Sequence, residues 1–424
     1  MTDKLAILGG EKAVPEDALK KWPFVTDEDK AAVMRAMDFG VFSHITPEVD
    51  SLQKEWAEYT GTKYCLAANS GTAALHMSVA AAGIEPGDEV IVPAYTFVAT
   101  GTAVLHHNAI PVFVDIEPET WNIDAAKIQQ AITPYTKAII PVHLNGYPAD
   151  MDEINALAAR HNLVVIEDAC QAHGAEYKGK KAGNLGDIAA FSLNTWKNLA
   201  AGDGGLFVTN DEEYYERARM VREFGERIYK GKRREYNSYA MGWMYRTTEF
   251  VGAFTRSQLR RLDEMNERRM ENAEFLKKQL LKYDFVSFPA YKSDRTCVYW
   301  FFPMMLSARK AGFDMPEAEF RDRVSDALCA EGLRIGSWQR MPLPAQRLFR
   351  DKIGYGKGSP WSDGHYKGNV TYSIEDYPVA VDISDRTTWL SNMFFWPSTR
   401  EDVEYAVKAF DKVFTQLDKL QDLF

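Results

Sequence analysis

The chain has little of what metal and redox proteins are built from. Its four cysteines, Cys65, Cys170, Cys297 and Cys329, are scattered without ligand or redox spacing. Neither a zinc framework nor a disulfide scaffold follows from them, and they read as reduced thiols. The eight histidines are equally dispersed, so no metal ion is expected. No Gly-x-Gly-x-x-Gly turn follows a strand-like run, which argues against a nicotinamide dehydrogenase. No uninterrupted apolar stretch is long enough to span a bilayer. The opening MTDKLAILGGEKAVPEDALKKW lacks the basic flank and sustained apolar segment of a signal peptide. A soluble, cytoplasmic protein is expected, with no membrane partner. Positive charge is in deficit: 50 Lys and Arg stand against 60 Asp and Glu, a net charge of -10. Such a chain repels nucleic-acid backbones, so no DNA or RNA partner is expected.

What is present is an ordinary globular composition, 46% apolar and 26% charged, over 424 residues. That length fits a large domain plus a smaller one. Short apolar runs alternate with helix-like segments between residues 60 and 210. EVIVP, IPVFVD, KAIIPVH, LVVIED, DIAAFSL and GLFVTN read as strands, and TAALHMSVAAA, FVATGTAVLHH and MDEINALAARHN as helices. Continuous apolar strands separated by helices imply a parallel sheet covered on both faces. Residues 247–284 read as a long helical connector, bent once. Beyond it, CVYWFFPMML reads as a strand, MPEAEFRDRVSDALCAEG as a helix stopped by Gly332, and residues from Glu401 as a final helix. Residues 357–385 read as a long functional loop. The division expected is 1–284 for the large domain and 285–424 for a small α/β domain.

Four segments carry chemistry when taken together. Asn69-Ser70-Gly71-Thr72 opens a helix, where free N–H groups and the dipole seat an anion. The same residues also make a plain N-cap. Tyr95-Thr96-Phe97 follows a strand, and an aromatic there can cover a planar ring or simply pack in the core. Glu167-Asp168-Ala169-Cys170-Gln171 places a carboxylate at a strand's carboxyl end, where α/β sheets bind ligands. Ser192-Leu193-Asn194-Thr195-Trp196-Lys197 places a lysine in a short loop before Gly202-Asp203-Gly204-Gly205. Burial there would favour a neutral, imine-forming amine. Each feature alone has a bland reading. Their order supplies the kit that pyridoxal phosphate needs: anion seat, ring cover, carboxylate and lysine.

With these residues in view, the sequence resembles the fold-type I, pyridoxal-phosphate-dependent sugar aminotransferases of the DegT/StrS group. The stretches that carry the likeness include NSGTAAL, GDEVIVPAYTF, PVFVDIEPETWNID, PVHLNGYPADMDEI, VIEDACQAHGAEYKGKKAGNLGDIAAFSL and WKNLAAGDGGLFVTN. The resemblance implies a mostly parallel central sheet, a smaller C-terminal domain and a homodimer with shared sites. It implies Lys197 as the Schiff-base lysine and general base and Asp168 as the partner of the pyridine nitrogen. By the same resemblance Gln171 lies beside the ring, Gly71, Thr72 and Ser192 bind phosphate, and Phe97 stacks on the ring. One position departs from the pattern. The family usually carries Gly-x-Asn-x-Arg, its Asn reaching the neighbouring subunit's cofactor, whereas this chain has Gly242-Trp243-Met244-Tyr245-Arg246. Relatives with histidine at the lysine position are dehydratases, a reading Lys197 opposes.

The resemblance also implies glutamine or glutamate as amino donor. The opening LAILGGEKAVPEDALKKWPF and the stretch TFVATGTAVLHHNAIPVF look nearest to the branch that aminates keto-cyclitols such as scyllo-inosose. The alternatives are a nucleotide-linked keto-hexose and an aminohydroxybenzoate synthase type of reaction. A non-catalytic sensor that keeps the fold is the rival of another class, opposed by the intact Lys197, Asp168 and Ser192. Tyr95, His143 and His365 are candidates for substrate contact, with structural roles equally open. Trp243, Met244 and Tyr245 read as either interface or core.

Overall fold

Apolar runs of four or five residues, too short for stable helices, become buried strands. The computed structural model describes residues 4–42, 46–229 and 231–423. Its strands in chain order are β1 Tyr64–Ala68, β2 Glu89–Pro93, β3 Ile110–Val114, β4 Thr136–Ile139, β5 Val164–Asp168, the hairpin β6 Glu176–Tyr177 and β7 Lys180–Lys181, β8 Ile188–Ser192, β9 Gly205–Thr209, β10 Val286–Ser287, β11 Phe302–Leu306, β12 Ile335–Gly336 and β13 Thr387–Leu390. The helices are α1 Asp27–Phe39, α2 Pro47–Thr60, α3 Gly71–Ala81, α4 Val98–Leu105, α5 Ala125–Ala131, α6 Met151–His161, α7 Glu212–Arg222, α8 Glu249–Leu259, α9 Leu262–Leu280, α10 Glu317–Ala330, α11 Arg347–Arg350, α12 Pro378–Arg386 and α13 Arg400–Phe414.

Seven strands form the central sheet in the order β1-β9-β8-β5-β4-β2-β3. Its neighbours are parallel except the two pairs that include β9. The cause is the connection. β8 reaches β9 through residues 193–204, which contain no helix, so the chain folds straight back as an antiparallel neighbour. That return loop carries Lys197. β9 is also the strand that joins β1 to β8: Gly205 pairs with Ala68 on one side and Ser192 on the other. The carboxyl ends of β1, β5 and β8 therefore share one edge of the sheet, as open α/β sheets require of a ligand site.

The second sheet is antiparallel, in the order β10-β11-β13-β12. Its core joins Leu306 and Leu390 to Leu276 of α9, Val324 of α10 and Phe410 of α13. Leu5 and Val14 belong to this core too. They are held there by buried Glu331, which accepts the N–H groups of Ala6 and Ala13 at 2.7 and 2.9 Å. The N-terminal segment, assigned by sequence to the large domain, thus packs on the second unit.

Three further expectations change. Only residues 302–306 of CVYWFFPMML are strand. The residues before them bend away because the N–H groups of Val298 and Trp300 donate to the carbonyls of Gly146 and Asn145. Residues 357–385 are not loop throughout: Pro378 starts α12, whose Ala380 and Ile383 are buried. The last helix stops at Phe414 and yields to a 3-10 turn at Leu417–Leu423. Among the described residues no helix is long and apolar enough to cross a membrane.

Candidate active site

α3 starts at Gly71 because Ser70 is extended and its Oγ accepts the Ala73 N–H at 3.0 Å. Gly71 and Thr72 line a cavity of about 810 Å³. They bring to it the first N–H groups of the helix, which intrahelical bonding leaves free. The helix start presses against the end of β8: a Cβ on Gly71 would stand 2.7 Å from Ser192 Cβ and 3.1 Å from its Oγ. Only glycine lets the Ser192 hydroxyl lie beside those N–H groups. Distant in sequence, the two halves of the expected anion seat meet here.

Asp168 ends β5 and is buried. Its Oδ2 accepts from Thr100 Oγ1 at 2.7 Å and its Oδ1 from the Cys170 N–H at 3.2 Å. Thr100 in turn lies 3.2 Å from Thr96, hydroxyl to hydroxyl, both fully buried. The carboxylate is fixed in plane with lone pairs still free. Gln171 spends its Oε1 on the Asn145 N–H at 2.8 Å, and its amide N–H groups remain for the cavity it lines. Asn145 is itself fixed by the Trp389 indole N–H at 3.0 Å.

Lys197 lies in the β8–β9 loop, its N–H bonded to the Asn194 carbonyl at 2.8 Å. Its Nζ sits 4.1 Å from the centre of the Trp300 ring. Burial pulls its pKa below the ordinary 10.5, partly opposed by Cys170 and Asp168. The Trp300 indole N–H donates to the Trp196 carbonyl at 2.8 Å, which braces the loop. Phe97 keeps 53% of its surface exposed and reaches Trp338 across the cavity with ring centres 6.3 Å apart. Burial pushes the Cys170 thiol well up, so it is a neutral neighbour.

The structure thus gathers Gly71, Thr72, Phe97, Asp168, Gln171, Ser192 and Lys197 on one cavity. The three substrate-contact candidates do not line it. Tyr95 is buried beneath Trp389, the two rings stacked at 6.3 Å. His143 is buried, with Nδ1 accepting the Ala149 N–H and Nε2 2.9 Å from Glu167. His365 is exposed and its backbone packs on Gly87, at the amino end of β2. His173 is also away from the cavity, buried without a side-chain partner, its pKa pulled down to about 3 by burial.

At the departing position, the Asn69 amide donates to the Met244 carbonyl at 3.2 Å. The Met244 side chain is half-exposed. Trp243 and Tyr245 turn inward as stacked rings, and the Tyr245 hydroxyl lies 3.0 Å from His76 Nδ1.

Sequence reasoning missed Thr100, Trp300, Ser337 and Trp338. Thr100 stands one helical turn after Thr96, a spacing that hinted at a shared face. The tryptophans gave no signal, because only the fold brings the second sheet against the cavity.

The donor set fits pyridoxal phosphate: a helix-start seat that a Cβ would fill, a fixed carboxylate, and an amine with a depressed pKa beside an aromatic wall. Among the described residues no cluster of three or more metal-ligating side chains occurs. A model of the DegT/DnrJ/EryC1/StrS aminotransferase family matches residues 23–375. GDP-perosamine synthase of Caulobacter vibrioides is 43% identical over 242 residues, 57% of this chain and 64% of that protein. A Micromonospora echinospora protein named putative L-glutamine:3-amino-2,3-dideoxy-scyllo-inosose aminotransferase is 32% identical over 431 residues, 99% of either chain. The solved structure of S. venezuelae DesV in complex with ketimine intermediate is 31% identical, with TM-score 0.78 over 92% of this chain and 95% of that one.

Proposed function

The chain belongs to the DegT/DnrJ/EryC1/StrS aminotransferase family, a pyridoxal-phosphate-dependent group, and from that premise we propose that it moves an amino group from glutamine or glutamate to a keto-cyclitol of the scyllo-inosose kind. The observation that carries the acceptor is the likeness to the Micromonospora protein, which runs the length of both chains. A nucleotide-linked keto-hexose is the second reading, favoured by the 43% identity to GDP-perosamine synthase over 57% of this chain.

When bound, pyridoxal phosphate supplies an aldehyde for amine exchange and a ring that accepts the electron pair of a broken C–H bond. The chain's residues divide the remaining work. Gly71, Thr72 and Ser192 would hold the phosphate. Asp168, oriented by Thr100 and the Cys170 N–H, keeps the ring-nitrogen proton in place. Gln171, whose amide N–H groups are unspent, would donate to the ring's oxygen, and Phe97 would cover its face. Lys197 Nζ, when free, would take the donor's α-proton as general base and return a proton to the cofactor's aldehyde carbon as general acid. The same amine later works in reverse on the acceptor. Its depressed pKa suits this task, because only the neutral amine accepts a proton.

The reading includes a homodimer in the cytoplasm, with the unit of the seven-stranded sheet holding the cofactor and the unit of the four-stranded sheet, which the N-terminal segment joins, completing the cavity. Exposed apolar side chains on α1, Met34, Met37 and Phe39, together with Met241 and Met244, support a second copy as their cover. The test is the absorption spectrum of protein mixed with pyridoxal phosphate, before and after glutamine or glutamate, with Lys197→Ala beside it. The wild type should show the visible band of lysine-linked cofactor and lose it with donor, and scyllo-inosose should restore it. Absence of the band at saturating cofactor overturns the reading.

A further inference from the structure

The wall of the cavity contributed by the second sheet has features that the cofactor does not use. Gly336, at the end of β12, lines the cavity, and a Cβ added there would meet nothing within 4 Å. Its backbone has no positive φ. Neither close packing nor turn geometry therefore requires glycine, and what its small size preserves is open cavity. Beside it, Trp338 forms an aromatic wall with Trp300 and Trp389, at ring-centre separations of 5.3 and 5.5 Å. Such faces pack against the C–H faces of a saturated ring.

Ser337 Oγ and Trp338 Nε1 are side-chain polar atoms without a hydrogen-bond partner. Among the described residues that line the cavity, these two neighbours are the only ones with buried side-chain polar atoms left unpartnered. An unmet buried donor costs about 1–3 kcal/mol, so folded proteins rarely keep one without a use. Both atoms are shut off from the open cavity as they stand, so a hydroxylated occupant supplies the partner to whichever side chain turns towards it, the short Ser337 hydroxyl most readily.

The charges around the entrance narrow the class. Asp203, Asp322 and Asp326 stand on the cavity wall against Arg334 and Arg340. Arg340 is already engaged by Asp322 at 3.0 Å. Arg334 is left as the guanidinium available to a ligand; its own contact is with the Trp196 ring at 6.0 Å. One such group suits the single carboxylate of an amino donor. With Asp322 paired to Arg340 and also to Arg321 at 2.8 Å, Asp203 and Asp326 remain against that one guanidinium, and among the described residues the wall offers no second unpaired guanidinium for a diphosphate.

We infer that Gly336, Ser337 and Trp338 form the acceptor subsite and that it takes an uncharged, polyhydroxylated six-membered ring rather than a nucleotide-linked sugar. The inference rests on the aminotransferase reading above. Gly336 leaves room for the ring, Trp338 covers one of its faces, and the Ser337 hydroxyl, turned into the cavity, bonds to one of its hydroxyl groups.

Two measurements on the cofactor-loaded full chain test it. Quenching of tryptophan fluorescence by unreactive myo-inositol reads binding apart from turnover. Return of the visible band after donor treatment reads the acceptor step, with scyllo-inosose and a nucleotide-linked 4-keto-hexose compared. Gly336→Leu should keep the melting temperature and the cofactor band, yet lose both inositol quenching and restoration by scyllo-inosose. Ser337→Ala should raise the scyllo-inosose KM about 5- to 10-fold with little change in kcat, the loss of one hydrogen bond. The proposal is overturned if the nucleotide-linked ketone restores the band at lower concentration, if neither ketone does, or if Gly336→Leu binds and aminates as the wild type does. Should the wild type fail to bleach with any donor, the aminotransferase reading falls first and this inference with it.

Discussion

Gly71→Ala tests whether the anion seat is built by close approach. Helix propensity alone predicts a gain, since alanine in a helix is favoured over glycine by roughly 0.5–1 kcal/mol. The structure predicts the opposite sign. The new Cβ would lie 2.7 Å from Ser192 Cβ and 3.1 Å from Ser192 Cα, where carbon atoms pack at about 3.5–4.0 Å. Neither side can yield easily. Ser192 is hydrogen-bonded into the sheet opposite Gly205, and a Cβ on Gly205 would itself stand 2.2 Å from the Ser70 carbonyl oxygen, so the end of β8, the start of β9 and the start of α3 are packed closely together. Overpacking of this kind costs about 1–3 kcal/mol, leaving a net destabilisation of up to about 2.5 kcal/mol after the propensity gain. The shift also separates the Gly71 and Thr72 N–H groups from Ser192 Oγ, so cofactor affinity should fall about tenfold or more, one lost charge-assisted hydrogen bond. Urea denaturation of the cofactor-free protein reads the first effect, as a lower midpoint at unchanged slope. Titration with pyridoxal phosphate reads the second. Gly336→Ala, with nothing within 4 Å of its new Cβ, is the control and should hold its midpoint. If Gly71→Ala is as stable as the wild type and binds the cofactor equally well, the close-approach reasoning is wrong.

Other perturbations bear on separate parts of the site. Thr100→Val removes the donor to Asp168 Oδ2. A hydrogen bond to a charged group is worth about 1.5–3 kcal/mol, so cofactor affinity should fall at least several-fold by titration, and Thr100→Ser should restore it. Glu167→Ala leaves His143 Nε2 and the N–H groups of Gly183, Leu185 and Gly186 without their acceptor. At about 1–3 kcal/mol for each buried unmet donor, the variant should lose most of its soluble yield or unfold at markedly lower urea. For Lys197 the folded pKa lies below 10.5, so between that lowered value and 10.5 the unfolded chain binds more protons and stability rises with pH. Cofactor-free wild type should therefore gain stability relative to Lys197→Met as pH is raised towards 10.5. A difference that stays flat or falls would show that the amine is not desolvated.

Much of the site was legible because its residues sit where local rules speak. Ser70 is a good N-cap, Asp168 ends a β-branched run, and Lys197 sits in a short polar loop with glycines behind it, so helix start, strand end and return loop could each be read in place. The substrate candidates did not come to the cavity, because whether an aromatic or a histidine faces a ligand depends on neighbours that no local pattern names. Tyr95 is two residues from Phe97, yet one is buried under Trp389 and the other open to the cavity.

By itself the sequence determined the alternation of strand and helix, the parallel run of most of the sheet and the order of the chemical groups along it, since these follow from hydrophobic period, caps and turns within a few residues. Only the tertiary structure decided which groups meet. The antiparallel return of β9 sets Gly71 against Ser192. The hydroxyl of Thr100 reaches a carboxylate 68 positions away. The second sheet carries Gly336, Ser337 and Trp338 to a cavity begun by residues 71 and 72. Contacts between segments so far apart depend on strand order and on the packing of one core against another, and neither is written in any local stretch of the chain.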